Sequence, residues 1–130
     1  MSKNKEIINT KAAPAPIGPY NQAVKAGNTL YVSGQIALSP QTDELISGSV
    51  ADEAKQALEN LSAVLTEAGY SFNDVVKTTI FLRDMGDFAA VNEVYGTYFT
   101  EDLAPARETV AVAGLPKNVR VEISVIAWKA

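Results

Sequence analysis

Val50-Ala-Asp-Glu-Ala-Lys-Gln-Ala-Leu-Glu-Asn-Leu-Ser-Ala-Val-Leu-Thr-Glu-Ala68 leads through Gly69 into Val75-Val-Lys-Thr-Thr-Ile-Phe-Leu-Arg83. In the first stretch Val50, Ala54, Ala57, Leu58, Leu61, Val64, Leu65 and Ala68 recur every three or four positions, the signature of a helix with one buried face. Ser49 with Asp52 resembles a capping box, and Gly69 suits the left-handed position just past a helix end. The second stretch is β-branched and aromatic, as a strand requires. A helix followed at once by a strand decides the class, because the remaining segments repeat the alternation.

Downstream, Asp87 is expected to cap a second helix reaching Phe99, with Phe88, Val91, Val94, Tyr95, Tyr98 and Phe99 as its apolar stripe. Arg107 to Ala113 and Val119 to Trp128 read as strands joined through Gly114-Leu-Pro-Lys-Asn118. Upstream, Glu6 to Asn9 reads as a short strand, and Ala12 to Pro19, with Pro14, Pro16, Gly18 and Pro19, reads as a loop. Gly27-Asn28 marks a hairpin turn into Thr29 to Ala37. The reading is an α+β class: one domain over residues 1–130, with two helices on one face of a mixed sheet. Ile80-Phe-Leu, Leu30-Tyr-Val and Val125-Ile-Ala-Trp carry large apolar groups on both strand faces. A second copy of the chain is the economical cover for the face that the helices leave bare.

Composition narrows the chemistry. In 130 residues there are no Cys and no His, which excludes disulfides, thiolate nucleophiles, Cys/His zinc sites and any Ser-His-Asp triad. The net charge of -4 argues against nucleic acid or anionic lipid as partner. The first residues lack the apolar run of an export signal, so a cytoplasmic location is the expectation. No phosphate-cradling glycine spacing occurs, and no cofactor is expected.

The residues left to carry chemistry are few. Arg107, at a loop-to-strand junction, presents a fork that grips a carboxylate; Glu122, flanked by Val121 and Ile123, is the strongest general base once His is excluded. Taken blind, surface or interface ion pairs explain both. Val32-Ser33-Gly34-Gln35 interrupts an apolar strand, as a bulge or a close ligand approach would. Tyr20 reads as a pocket, core or interface residue, and Asn92 as an interface or solvent-facing one. Asp84 and Asp87 are read as helix-capping rather than metal-binding groups.

Gly18-Pro-Tyr-Asn-Gln-Ala23, Tyr31-Val-Ser-Gly-Gln-Ile36, Val76-Lys-Thr-Thr-Ile-Phe-Leu-Arg-Asp-Met85, Val91-Asn-Glu-Val-Tyr95 and Pro105-Ala-Arg107 with Val121-Glu-Ile123 together resemble the RidA (YjgF) family across nearly the whole chain. The resemblance implies a chorismate-mutase-like fold, a homotrimer whose sheets form a central barrel, and clefts between subunits for small carboxylic acids. It also implies hydrolytic deamination of 2-imino acids, such as 2-iminobutanoate and 2-iminopropanoate, to 2-oxo acids and ammonia. Arg107 would then bind the carboxylate and Glu122 would activate water. Tyr20, Ser33 and Asn92 match pocket positions, and Gly34 and Thr109 would contribute backbone groups. Thr109 stands where many members carry a cysteine, and Ser124 where an acidic residue is frequent. A non-catalytic binder of 2-oxo acids is the competing reading; an RNA-cleaving role, described for some members, fits the acidic balance poorly.

Overall fold

The structure is a computed structural model that describes residues 5–130. Six strands and two helices alternate along it: β1 (Lys5–Ile8), β2 (Ala23–Ala26), β3 (Thr29–Gln35), α1 (Val50–Glu67), β4 (Val75–Leu82), α2 (Phe88–Tyr95), β5 (Ala106–Ala111) and β6 (Val121–Trp128). The strands form one sheet in the order β1-β2-β3-β6-β4-β5. Only β4 and β5 pair in parallel, as a strand crossing back through α2 must; all other pairs are antiparallel. The α+β class and the mixed sheet are therefore as expected from the residues.

The α1 stripe is buried throughout, from Val50 to Leu65. Ser49 accepts from the Asp52 N–H at 3.1 Å while the Asp52 carboxylate accepts from the Ser49 N–H at 3.3 Å, which completes the capping box. Gly69, at φ +82°, ends the helix in a conformation that a side chain would strain. Leu58 and Leu61 are fully buried, and truncating either to Ala would cost about 2–5 kcal/mol. Buried Glu53 of α1 pairs with the Arg120 guanidinium and accepts from the Arg120 N–H at 3.1 Å. That link ties α1 to the start of β6.

The second helix is shorter than its apolar residues suggest. It ends at Tyr95, not Phe99, and the Asp87 side chain makes no cap; instead the Asp84 carboxylate accepts from the Gly86 N–H at 2.8 Å, ahead of a short 3-10 turn. Past Gly96, the Thr97 hydroxyl donates to the Val94 carbonyl at 2.6 Å, and Tyr98 and Phe99 reach the core from a turn.

Side-chain alternation sorts the two faces of the sheet. On β6, Val121, Ile123, Val125 and Ala127 are buried under the helices, whereas Glu122, Ser124, Ile126 and Trp128 point the other way. That second face carries no helix. Tyr31 and Trp128 lie on it half exposed, at 51% and 50%, Val110 of β5 lies on the same face, and Lys77 pairs with Glu108 there at 3.2 Å.

Candidate functional site

The two residues chosen from the sequence for chemistry lie on opposite faces of this sheet. Glu122 stands on the helix-free face. Arg107 of β5 is in register with Thr78 of β4. The Thr78 Oγ1 accepts from the Tyr95 hydroxyl of α2 at 3.1 Å, which places Arg107 on the helix side.

Around Glu122 the backbone is shaped to admit a carboxylate. Val32 pairs with Val125 but Gln35 pairs with Ile123, so Ser33-Gly34 forms a bulge with one residue more than its partner strand. The extra residue turns Gln35 inward and leaves Gly34 under the Glu122 side chain. A Cβ on Gly34 would lie 2.8 Å from Glu122 Cδ and 2.9 Å from Cγ, so only glycine fits beneath this side chain as it stands. Ser33 is satisfied: its hydroxyl donates to the Asn21 carbonyl at 2.7 Å and its N–H to the Gln22 carbonyl at 2.9 Å.

Glu122, Gly34 and Tyr20 line a cavity of about 60 Å³, walled by Pro14, Ile17 and Pro116. Burial holds the Glu122 carboxyl above the usual carboxylate range, and among the described residues no basic side chain offsets it. The proline loop that forms one wall is fastened by buried Gln22. Its amide donates to the carbonyls of Thr10, Ala13 and Pro14 at 3.0, 3.2 and 2.8 Å and accepts from the Thr10 N–H at 2.6 Å.

Around Arg107 the arrangement is one of orientation. Its Nη1 donates to Asn92 Oδ1 at 2.8 Å, and its Cζ lies 4.8 Å from the Tyr95 ring centre and 5.7 Å from that of Phe88. Two residues along the same strand face, the Thr109 hydroxyl is buried without a partner among the described residues. A buried orphan hydroxyl costs about 1–3 kcal/mol, so a ligand or a neighbouring chain that satisfied it would recover that free energy. Arg107, Asn92 and Thr109 thus form one group, with a guanidinium whose remaining donors are open. Tyr20, Gly34 and Glu122 form another, with Ser33 behind them.

Phe88 and Tyr95 escaped the sequence reading because they count as apolar stripe residues. The signal was present: Phe88, Asn92 and Tyr95 are spaced i, i+4, i+7 and share one helix face, aimed at Arg107. Gln22 escaped because a glutamine near a proline loop does not announce burial. Among the described residues no cluster of three or more acidic, His or Cys side chains could hold a metal, and no helix is long and apolar enough to cross a membrane.

A sequence model of the family described as endoribonuclease L-PSP matches residues 10–129. A RutC family protein of Pyrococcus horikoshii is 54% identical over 125 residues, covering 96% of this chain and 98% of that one. The 2-iminobutanoate/2-iminopropanoate deaminase of Mus musculus is 54% identical over 123 residues, covering 95% and 90%. The crystal structure of the E. coli YjgF gene product superposes with a TM-score of 0.90 at 47% identity, over 96% of this chain and 99% of that one.

Proposed function

The chain belongs to the endoribonuclease L-PSP family, that of the RidA/YjgF proteins, and from this membership and the two residue groups we propose that it hydrolyses 2-imino acids such as 2-iminobutanoate and 2-iminopropanoate to 2-oxo acids and ammonia. The observation that carries the reading is Glu122: a carboxylate folded onto Gly34 in a small, mostly apolar cavity, with its proton affinity raised by burial. A general base works best when its pKa approaches the working pH, and burial moves Glu122 that way.

The imine carbon is already electrophilic, so the protein has two tasks. Arg107, steadied by Asn92, binds the substrate carboxylate through its free donors, with the Thr109 hydroxyl alongside. Glu122 takes a proton from a water whose oxygen attacks the imine carbon. As the C–O bond forms, the proton on Glu122 passes to the imine nitrogen; Glu122 then takes the carbinolamine hydroxyl proton and returns it to the amino group, so that the C–N bond breaks, the carbonyl forms, ammonia leaves and Glu122 is ionised again.

One chain keeps the two groups on opposite faces of its sheet, so a complete site needs Glu122 from one copy and Arg107 from another. A homotrimer supplies this while covering the bare face that carries Tyr31, Val110 and Trp128. A non-catalytic binder of 2-oxo acids is the second reading, favoured by the Arg107 group, which holds a carboxylate without help from Glu122. Generating the imine in situ with an amino-acid oxidase and following its loss above the uncatalysed rate separates the two. An enzyme accelerates the loss, whereas a binder leaves it at background.

A further inference from the structure

Tyr95 is buried, and three contacts fix its ring: the α2 backbone, a stack on Phe99 with ring centres 4.5 Å apart, and the hydroxyl that donates to Thr78 Oγ1 at 3.1 Å. Thr78 is the residue in register with Arg107 on the neighbouring strand, so the same backbone ladder that places Arg107 also places the ring. The guanidinium carbon lies 4.8 Å from the ring centre, inside the roughly 6 Å range in which a cation is drawn to an aromatic face. Arg107 lies on β5, at the end of the sheet, where a long side chain would otherwise sample many rotamers. Asn92 restrains it through Nη1 alone, which leaves rotation about that contact open.

We propose that Tyr95 is a positioning residue that acts through Arg107: its ring holds the guanidinium so that the donors not used by Asn92 face the ligand carboxylate. This rests on the reading of Arg107 as the carboxylate clamp. Burial pushes the Tyr95 phenol up, so the ring stays neutral and never competes as an anion for the cation that it holds. The hydroxyl serves the ring by fixing it to Thr78; the ring face serves Arg107. Removing the ring and removing the hydroxyl should therefore have unequal effects.

The test is a pair of variants with two measurements. Tyr95→Leu removes the ring and Tyr95→Phe only the hydroxyl; each is titrated with 2-oxobutanoate, and the guanidinium Nε–H resonances are recorded. The chain has three arginines, Arg83, Arg107 and Arg120, so assignment is direct. In the wild type, ring current should displace the Arg107 resonance from the position of an unstructured arginine. Tyr95→Leu should cut the displacement to the remainder left by the Phe88 ring, 5.7 Å from the guanidinium carbon, and weaken 2-oxobutanoate binding by about tenfold, whereas Tyr95→Phe should keep the displacement and bind within about twofold of wild type. A Tyr95→Leu protein that binds like wild type, or a Tyr95→Phe protein that loses as much as Tyr95→Leu, overturns the proposal. If Tyr95→Leu does not fold, the wild-type spectrum decides alone, since an undisplaced Arg107 resonance overturns it equally. Failure of the clamp reading looks different: Arg107→Ala would then bind 2-oxobutanoate like wild type, while the ring-current displacement in the parent protein stayed in place.

Discussion

The surroundings of Arg107 and of Glu122 solve opposite problems for opposite charges. Arg107 is given partners, an amide oxygen at 2.8 Å and two aromatic rings, that fix its direction while leaving its charge uncompensated. Glu122 is given almost none; glycine beneath it and apolar walls around it withdraw water and raise its affinity for a proton. On the proposed reading, the group that binds is oriented and the group that accepts a proton is desolvated. The contrast separates binding from rate, and variants on each side should move one quantity and not the other.

The largest effect is expected from Glu122→Gln, which keeps the shape but cannot accept a proton. The enzyme-dependent rate of imine loss should fall by about a hundredfold to ten-thousandfold while 2-oxobutanoate still binds. Turnover equal to wild type would make Glu122 structural and end the contrast. Arg107→Ala should weaken 2-oxobutanoate binding by about a hundredfold without unfolding the protein, and Arg107→Lys should recover little, because an ammonium lacks the fork. Calorimetric titration reads this directly, and a lysine variant with wild-type affinity refutes the clamp.

Gly34→Ala disturbs only the Glu122 side. The added methyl meets Glu122 Cδ at 2.8 Å, so the carboxylate must shift, and the rate should drop about tenfold to a hundredfold with 2-oxobutanoate affinity unchanged. A parallel loss of affinity would show that the two surroundings are not independent. Next, Arg107→Ala and Glu122→Gln chains, each nearly inactive, should regain about a quarter of wild-type activity when refolded together in equal amounts, since random assembly reunites intact halves at one site in four. A mixture as inactive as its parents would rule out a site shared between copies.

The smallest effect concerns stability. Because burial raises the Glu122 pKa in the folded chain above its unfolded value, the folded state binds that proton more tightly; the stability so contributed is lost as pH rises through the raised pKa. Glu122→Gln removes this cost. At fixed protein concentration its urea midpoint should exceed that of wild type at about pH 7, and the gap should close at about pH 4. A gap that widens on acidification would mean that the folded protein favours the ionised carboxylate.

How much of this was legible from the residues depended on whether the signal was local. The α1 helix was, since its cap, stripe and terminal glycine all lie within its own length. The end of α2 was not, because Tyr98 and Phe99 are as apolar as helix residues and only tertiary packing brings them to the core by a turn. Glu122 could be placed on a sheet face from its flanking Val121 and Ile123. Arg107 could not, since its face depends on β5 pairing in parallel with β4 rather than with β6, its neighbour along the chain. The motifs therefore named residues that the fold gathers into two groups, while the separation of Arg107 from Glu122 required the strand order.

The Ser33-Gly34 bulge has a consequence for how such a chain can change over generations. While the carboxylate lies over Gly34, any side chain at that position meets it, so a substitution at position 34 displaces the carboxylate as long as Glu122 remains. Exchange Glu122 for a short residue and the constraint lifts; position 34 can then drift to alanine or serine at little cost. From there the route back is obstructed, because restoring the glutamate alone would force it against the new side chain. The glycine acts as a ratchet, and a lineage that discards the glutamate and then fills the space beneath it has to reverse two steps in the right order to recover it.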